Sequence, residues 1–216
     1  EISLCDWSSD VCSSDLVAGL RRAELEDLCA ELGWPPFRAR QLFHWIHHRA
    51  ISDFTQMHNL PKAIVEYLIE NYSSPMALEL VLERQSVDGT VKYLFALADR
   101  HTIEAVYIPD DDRGTLCVSS QVGCAMKCTF CATGQSGFVR SLSPAEIVSQ
   151  VNFVRNRLSE EGPGLTNIVF MGMGEPFANF EAVMNSIDII TDREGMNLGQ
   201  RRITISTCGL ADKIRE

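Results

Sequence analysis

The chain has 216 residues, of which 45% are hydrophobic and 22% charged, and its formal net charge at pH 7 is −10. This length accommodates one large domain and a smaller one, and no apolar run approaches the roughly 20 residues of a membrane span, so we expect no membrane partner. The negative charge argues against a general nucleic-acid binder, because such proteins neutralise phosphates with Lys and Arg.

Residues 1–16 show neither helical nor strand periodicity and contain Ser-Ser-Asp twice. They lack the positive start and the apolar core of a signal peptide. The stretch resembles translated sequencing-adaptor DNA, and a disordered natural tail is the alternative. We therefore leave it out of the fold prediction.

Residues 17–75 are predicted to form a small helical accessory domain. One helix begins near Leu20 and ends at Gly33, a second follows Pro35 and Pro36 and runs to Arg49, and a third follows Pro61. Within residues 35–62 the only acid is Asp53, and the basic side chains and histidines are Arg38, Arg40, Arg49, Lys62, His44, His47, His48 and His58. We expect any RNA contact to be local to this stretch, with the histidines on the surface.

Residues 76–108 change to a period of two, which predicts an antiparallel β segment with a hairpin turn at Asp88 and Gly89. Glu104 is predicted to share a strand face with Val106 and Ile108, where a charge is costly unless the face meets a cavity. A carboxylate in that setting often serves as a proton acceptor. The alternatives are an ion pair with a nearby arginine and a solvent-facing sheet edge.

Residues 109–216 alternate between strand and helix. Strands are predicted at 115–119, 167–171 and 202–206, and Ser143 with Glu146 forms a capping box at the start of a helix. Three successive βα units predict a parallel sheet that curls into a partial barrel, so the fold class is α/β.

Three of the eight cysteines form a C-x3-C-x2-C run, Cys124, Cys128 and Cys131. Structural zinc sites and ordinary 4Fe-4S carriers use four ligands, so three thiolates leave one position of a 4Fe-4S cluster open. Two alternatives stay open, a closed four-cysteine metal site that includes Cys117 and a disulfide. Clustered cysteines favour metal chemistry, and with it a reducing cytoplasm.

The chemistry-bearing motifs all follow predicted strands. The cysteine run follows the first parallel strand, Gly174-Glu175-Pro176 follows the second and Ser206-Thr207-Cys208-Gly209 the third. In parallel barrels the loops at the carboxyl ends of the strands form the active site. We expect these loops to share one rim, with Cys208 as a small buried residue.

Residues 104–109, 113–131 and 171–176 together resemble the RlmN and Cfr group of radical SAM RNA methyltransferases, and the likeness extends from about residue 20 to residue 216. The resemblance implies a partial radical SAM barrel in residues 109–216 and a 4Fe-4S cluster on Cys124, Cys128 and Cys131. It also implies S-adenosylmethionine bound through Gly174, Glu175 and Ser206.

The resemblance is closer to the RlmN members, which methylate carbon 2 of adenosine in 23S rRNA and tRNA, and the carbon-8 chemistry of Cfr is an alternative. Carbon 2 carries no lone pair, so the family uses a radical route through a methylated cysteine. By this resemblance Cys117 resolves the protein–RNA adduct and Glu104 accepts a proton. A flavodoxin or ferredoxin would supply electrons to a monomeric cytoplasmic enzyme.

The pattern departs from the family at its C-terminal end. The methyl-carrying cysteine would lie beyond residue 216, and the three βα units are half of the family's roughly six. We therefore expect the chain to be a gene fragment that cannot complete a catalytic cycle unaided. A different radical SAM enzyme acting on a peptide, and a closed four-cysteine metal module, are the rival interpretations.

Overall fold

A computed structural model describes residues 17–72, 74–158 and 164–215. The predicted tail, residues 1–16, lies outside the described residues. The described chain contains a six-stranded mixed sheet, a short two-stranded sheet and seven α-helices.

The N-terminal helices match the sequence prediction. They are α1 (Arg22–Glu31), α2 (Phe37–Phe43) and α3 (Lys62–Asn71), with a π-helical turn from His44 to His48 after α2. Gly33 takes a φ of +68°, the left-handed conformation that commonly follows a helix C-terminus. The buried stripe of each helix is built from aliphatic residues such as Leu25, Leu42 and Leu68.

The π-helical turn overturns one expectation. A π-turn holds more residues than an α-turn, so it rotates the following side chains relative to an ideal α-helix. His47 is completely buried, and burial lowers its pKa to about 3, with Arg155 adding to the shift. The prediction that all these histidines lie on the surface is therefore wrong for His47.

The antiparallel segment consists of β1 (Leu78–Gln85), β2 (Val91–Leu97) and β3 (Thr102–Asp110), followed by β4 (Arg113–Cys117). Each pairs with its neighbour in antiparallel order. The predicted alternation is confirmed, since Val91, Tyr93, Phe95 and Leu97 all point into the core.

After β4 the chain forms a small hairpin that sequence periodicity did not predict. Its strands are β5 (Gln121–Gly123) and β6 (Phe138–Ser141), and between them lie the three clustered cysteines and a single helical turn, α4 (Ala132–Gln135). Three-residue pairing is too short to leave a period-two signal.

The parallel part begins with α5 (Pro144–Arg157), whose predicted capping box between Ser143 and Glu146 is present. Then follow β7 (Asn167–Phe170), α6 (Phe180–Thr191), β8 (Ile203–Ile205) and α7 (Ala211–Arg215). Strand β4 pairs in parallel with β7, and β7 with β8, so the sheet order is β1-β2-β3-β4-β7-β8. The α/β prediction with a partial barrel is confirmed.

In the part of the chain that the structure describes, α5 packs against one face of the sheet. Leu116, Ile168 and Phe170 point toward the helices and are at most 1% exposed, and Phe153 of α5 packs edge-on against Phe95 of β2. The N-terminal helices pack outside α5, where the Asn152 side chain donates to the Ile46 carbonyl. No helix of the described ranges combines the length and the hydropathy that a membrane crossing requires.

Candidate functional site

The loops after β4, β7 and β8 meet at one rim of the sheet. The backbone N–H groups of Ser120 and Gln121 donate to the Met173 carbonyl at 2.8 and 3.1 Å. On the other side, the Cys208 N–H donates to Glu175 Oε2 at 2.8 Å. The turn after β7 therefore bonds to both neighbouring loops, as the common-rim argument predicts.

The turn after β7 depends on Gly174, whose φ is +100°. A Cβ at this position would lie 2.5 Å from Gln121 Cβ, so a side chain would clash as well as strain the backbone. The next residue, Glu175, is only 4% exposed. Burial opposes its ionisation, but hydrogen bonds from Cys208, Thr207 and Phe177 outweigh this effect and lower its pKa. Glu175 is thus a buried carboxylate suited to accept from an ammonium group.

The clustered cysteines occupy the loop between β5 and β6. Cys124 is buried, whereas Cys128 and Cys131 are partly exposed. A hydrogen bond from the Gly134 N–H lowers the pKa of the Cys131 thiol, because α4 directs its N-terminal amides at the sulfur. Across residues 17–72, 74–158 and 164–215 no three His, Cys, Asp or Glu side chains are already gathered closely enough to hold a metal.

An ionic network fixes the base of the cysteine loop. The Arg140 guanidinium on β6 binds both carboxylate oxygens of Glu146, at 2.8 and 2.9 Å, and its Nε donates to Asp99 at 2.6 Å. Burial opposes ionisation of Asp99, but Arg140 and His101 lower its pKa to about 2. Because Glu146 also caps α5, one arginine ties the hairpin, the helix and the β2–β3 turn together.

Buried amides support the rim, and no sequence motif predicted them. The Gln150 side chain accepts from the Ser119 N–H and donates to the Ser119 carbonyl, so it binds the loop like a neighbouring strand. The Asn179 amide donates to the Ser120 and Leu142 carbonyls. The sequence signal that could have indicated such a buried amide is Gln150, a polar residue one helical turn after Glu146 on the otherwise apolar side of α5.

The open face of the sheet carries Glu104 and Cys117. Cys117 lies directly opposite Val106 in the β3–β4 pairing, and Glu104 is two residues away on the same face of β3. Burial raises the pKa of the Cys117 thiol, although a hydrogen bond from the Met171 backbone opposes the shift. Cys117 itself is half-buried.

Glu104 makes an ion pair on this face. One alternative from the sequence was an ion pair with an arginine, but the partner is a lysine, Lys92. Glu104 Oε1 lies 2.6 Å from Lys92 Nζ, and the two side chains are 41% and 50% exposed. The Glu104 backbone carbonyl accepts from Ser119 Oγ at 2.6 Å, which connects β3 to the start of the cysteine loop. The role of Glu104 as proton acceptor stays a prediction.

The loop after β8 differs from expectation at Cys208. Its side chain is exposed and contacts Glu175, whose hydrogen bond raises the pKa of the thiol. The prediction of a buried small residue is therefore wrong, because the loop holds Cys208 at the rim, where its N–H and its thiol both bond to Glu175 while the side chain stays exposed. Ser206 is exposed on the same rim, and its N–H donates to the Phe170 carbonyl.

Two protein-family models match separate parts of the chain. Residues 16–73 match the N-terminal domain of ribosomal RNA large subunit methyltransferases, and residues 118–216 match the radical SAM superfamily. The chain belongs to the RlmN family of radical SAM proteins. The match to the superfamily covers all three loops of the rim.

Individual relatives agree with this membership. The dual-specificity RNA methyltransferases RlmN of Desulfotalea psychrophila and Halorhodospira halophila are each 48% identical, over 88% and 91% of this chain and 54% of their own length. A crystal structure of a radical SAM methyltransferase from Sphaerobacter thermophilus superimposes with a TM-score of 0.87 at 47% identity, over 92% of this chain and 58% of that one. The chain thus spans about half the length of the RlmN relatives it matches.

Proposed function

We propose that this chain carries the cofactor-binding half of an RNA methyltransferase that modifies carbon 2 of adenosine in 23S rRNA and tRNA. The observation that supports it most is the hydrogen-bonded rim, which links the cysteine loop, Gly174-Glu175 and the loop after β8. On the same side, Glu104 and Cys117 lie on an uncovered sheet face that leaves room for a large substrate.

The residues of the rim fit a 4Fe-4S cluster and S-adenosylmethionine by their donor chemistry. Cys124, Cys128 and Cys131 would supply three thiolates to the cluster, and the lowered pKa of Cys131 favours the thiolate form. When bound, the cluster would supply the single electron that cleaves S-adenosylmethionine, drawn from a flavodoxin or ferredoxin. The ionised Glu175 would accept from the amino group of S-adenosylmethionine, and Gly174 and Ser206 would contact the same molecule.

Glu104 and Cys117 would act on the reacting adenine. In this scheme the methylene carbon of a methylated cysteine is joined to carbon 2 of the base. Glu104 would accept the carbon-2 proton, and the unpaired electron of the adduct would return to the oxidised cluster. The Cys117 thiolate then attacks the sulfur that joins protein to RNA and forms a disulfide. The electron pair of the broken sulfur–carbon bond stays with the methylene carbon on the RNA. That carbon takes a proton back from Glu104 and so becomes the methyl group of the released product.

The N-terminal helices offer an RNA-facing surface despite the net negative charge. Phe37, Arg40, Gln41, His44, Trp45, Asn59 and Glu194 line a cavity of about 410 Å³ there. Within the part of the chain that the structure describes, the Arg40 guanidinium has no ion-pair or hydrogen-bond partner. A free guanidinium beside aromatic rings and an amide is the combination that binds unpaired nucleotides. We assign RNA docking to this surface.

A chimera tests the proposed function. Residues 17–216 replace the matching segment of the Desulfotalea psychrophila relative, and RNA from cells that lack their own enzyme is analysed for 2-methyladenosine by mass spectrometry. We expect methylation in both 23S rRNA and tRNA. Methylation at carbon 8 would favour the Cfr-type reaction, and unmodified RNA from a folded, cluster-containing chimera would refute the proposal.

A further inference from the structure

Gln121 stands at the junction of the cysteine loop and the turn after β7. Its side chain is only 1% exposed, and both ends of its amide are used. Oε1 accepts from the Glu175 N–H at 2.9 Å, and Nε2 donates to Ser141 Oγ at 3.2 Å. Gln121 therefore connects the backbone of Glu175 to both strands that enclose the cysteines.

The orientation of this amide is determined by its surroundings. The Glu175 N–H can only donate, so it requires an oxygen opposite it, whereas the Ser141 hydroxyl can accept from the nitrogen. A flipped amide would place two donors against each other at the Glu175 backbone. Only one orientation of the Gln121 amide satisfies both hydrogen bonds, and in that orientation the amide holds the Glu175 backbone in place.

Van der Waals contact reinforces the hydrogen bond. The position where a Cβ of Gly174 would stand is 2.5 Å from Gln121 Cβ and 2.6 Å from its Cγ, so the glycine backbone rests directly on the glutamine side chain. The Gln121 N–H also donates to the Met173 carbonyl. Gln121 contacts three successive residues of this turn, and Cys124 follows it by three positions.

We propose that Gln121 is a positioning residue that sets the Glu175 carboxylate at a fixed place relative to the cysteine loop, and thereby determines affinity for S-adenosylmethionine. The inference rests on the proposed function, because it assigns that ligand to Glu175. It adds a residue that need not touch the ligand, since its side chain is buried and both ends of its amide bond within the protein.

The test compares Gln121→Met with Asn152→Leu in the 216-residue protein after anaerobic cluster reconstitution. Each change replaces a buried amide side chain with an apolar side chain of similar shape. Asn152 serves as the control because it bonds to the Ile46 carbonyl, away from the rim. We expect Gln121→Met to keep the cluster, to raise the Kd for S-adenosylmethionine roughly tenfold, and to alter the change that this ligand makes in the EPR spectrum of the reduced cluster. Asn152→Leu should match the wild type in all three.

A second readout needs neither cluster nor ligand. Loss of the Gln121 acceptor should raise the hydrogen-exchange rate of the Glu175 amide at least roughly tenfold in Gln121→Met and leave it unchanged in Asn152→Leu. Wild-type affinity and exchange in Gln121→Met, or equal losses in both variants, would overturn the inference. A wild type that takes up no cluster and no S-adenosylmethionine would overturn the proposed function as well.

Discussion

The two faces of the six-stranded sheet differ in what covers them. On the helix side, Leu116 of β4 and Ile168 of β7 are cross-strand partners, and both are completely buried. On the other side, the next residues of β4, β7 and β8 pair across the strands, and all are partly or fully exposed: Cys117, Val169 and Thr204. Neighbouring residues of one strand thus differ in burial, since one is enclosed in the core and the next is accessible.

This difference follows from strand geometry, in which successive side chains point to opposite faces. Phe170 is buried among the helices, while Met171, the next residue, is 56% exposed. Substitutions on the helix side should therefore act on the free energy of unfolding. Substitutions on the open side should act on reactivity with little effect on stability.

The largest expected effect is a direct test of this contrast at β7. Phe170→Ala should lower the free energy of unfolding by about 3–5 kcal/mol, because it leaves a cavity in the core. Met171→Ala should cost less than about 1 kcal/mol. Urea denaturation of both variants measures the difference, and equal losses would show that the open face is packed in solution.

The ionic network at the base of the cysteine loop should give the next largest effect. Arg140→Met leaves the buried Glu146 carboxylate without its cation and should cost about 3 kcal/mol. Arg157→Met, which breaks the exposed pair with Glu83, should cost less than about 1 kcal/mol. Thermal unfolding of the two variants compares them, and a mild effect of Arg140→Met would contradict the anchoring role.

Acid should weaken the same network through Asp99. Its pKa is lowered to about 2, so its contribution is fully present above the ordinary pKa of an aspartate and is lost as pH falls through about 2. The shift corresponds to about 2 kcal/mol. Asp99→Asn should therefore flatten the stability profile between pH 5 and 2 by about this amount, and an unchanged acid dependence would argue against the Asp99–Arg140 pair.

The smallest expected effect separates two thiols in protein without a cluster. The pKa of Cys131 is lowered by the α4 amides and that of Cys117 is raised by burial, so more of Cys131 is thiolate at neutral pH. Iodoacetamide should alkylate Cys131 at least roughly tenfold faster than Cys117 at pH 7.5, as followed by peptide mass spectrometry. Equal rates would contradict the half-buried position of Cys117.

The sequence predicted those parts of the molecule that a local pattern determines. The α5 capping box, the period-two strands before Glu104 and the order of βα units each follow from residues close together in the chain. The common rim followed as well, because parallel strands bring their carboxyl ends to one edge.

The rest depends on contacts between distant residues. Lys92 meets Glu104, and Gln121 meets Glu175, only after strand register and a tight turn are fixed. His47 lies in a π-helical turn, and its ring packs against that of the buried Phe43, so its burial depends on the packing of this helix against the rest of the protein. The exposure of Cys208 depends on the geometry of the loop after β8, which brings both its N–H and its thiol to Glu175 at the rim.

Anaerobic reconstitution of the chain with iron and sulfide tests the central claim most directly. We predict a 4Fe-4S cluster held by Cys124, Cys128 and Cys131, an EPR signal that changes on addition of S-adenosylmethionine, and 5′-deoxyadenosine after reduction with dithionite. Cys117→Ala should leave all three unchanged. Preferential binding of zinc through four sulfurs that is lost in Cys117→Ala, or the absence of deoxyadenosine, would contradict the account.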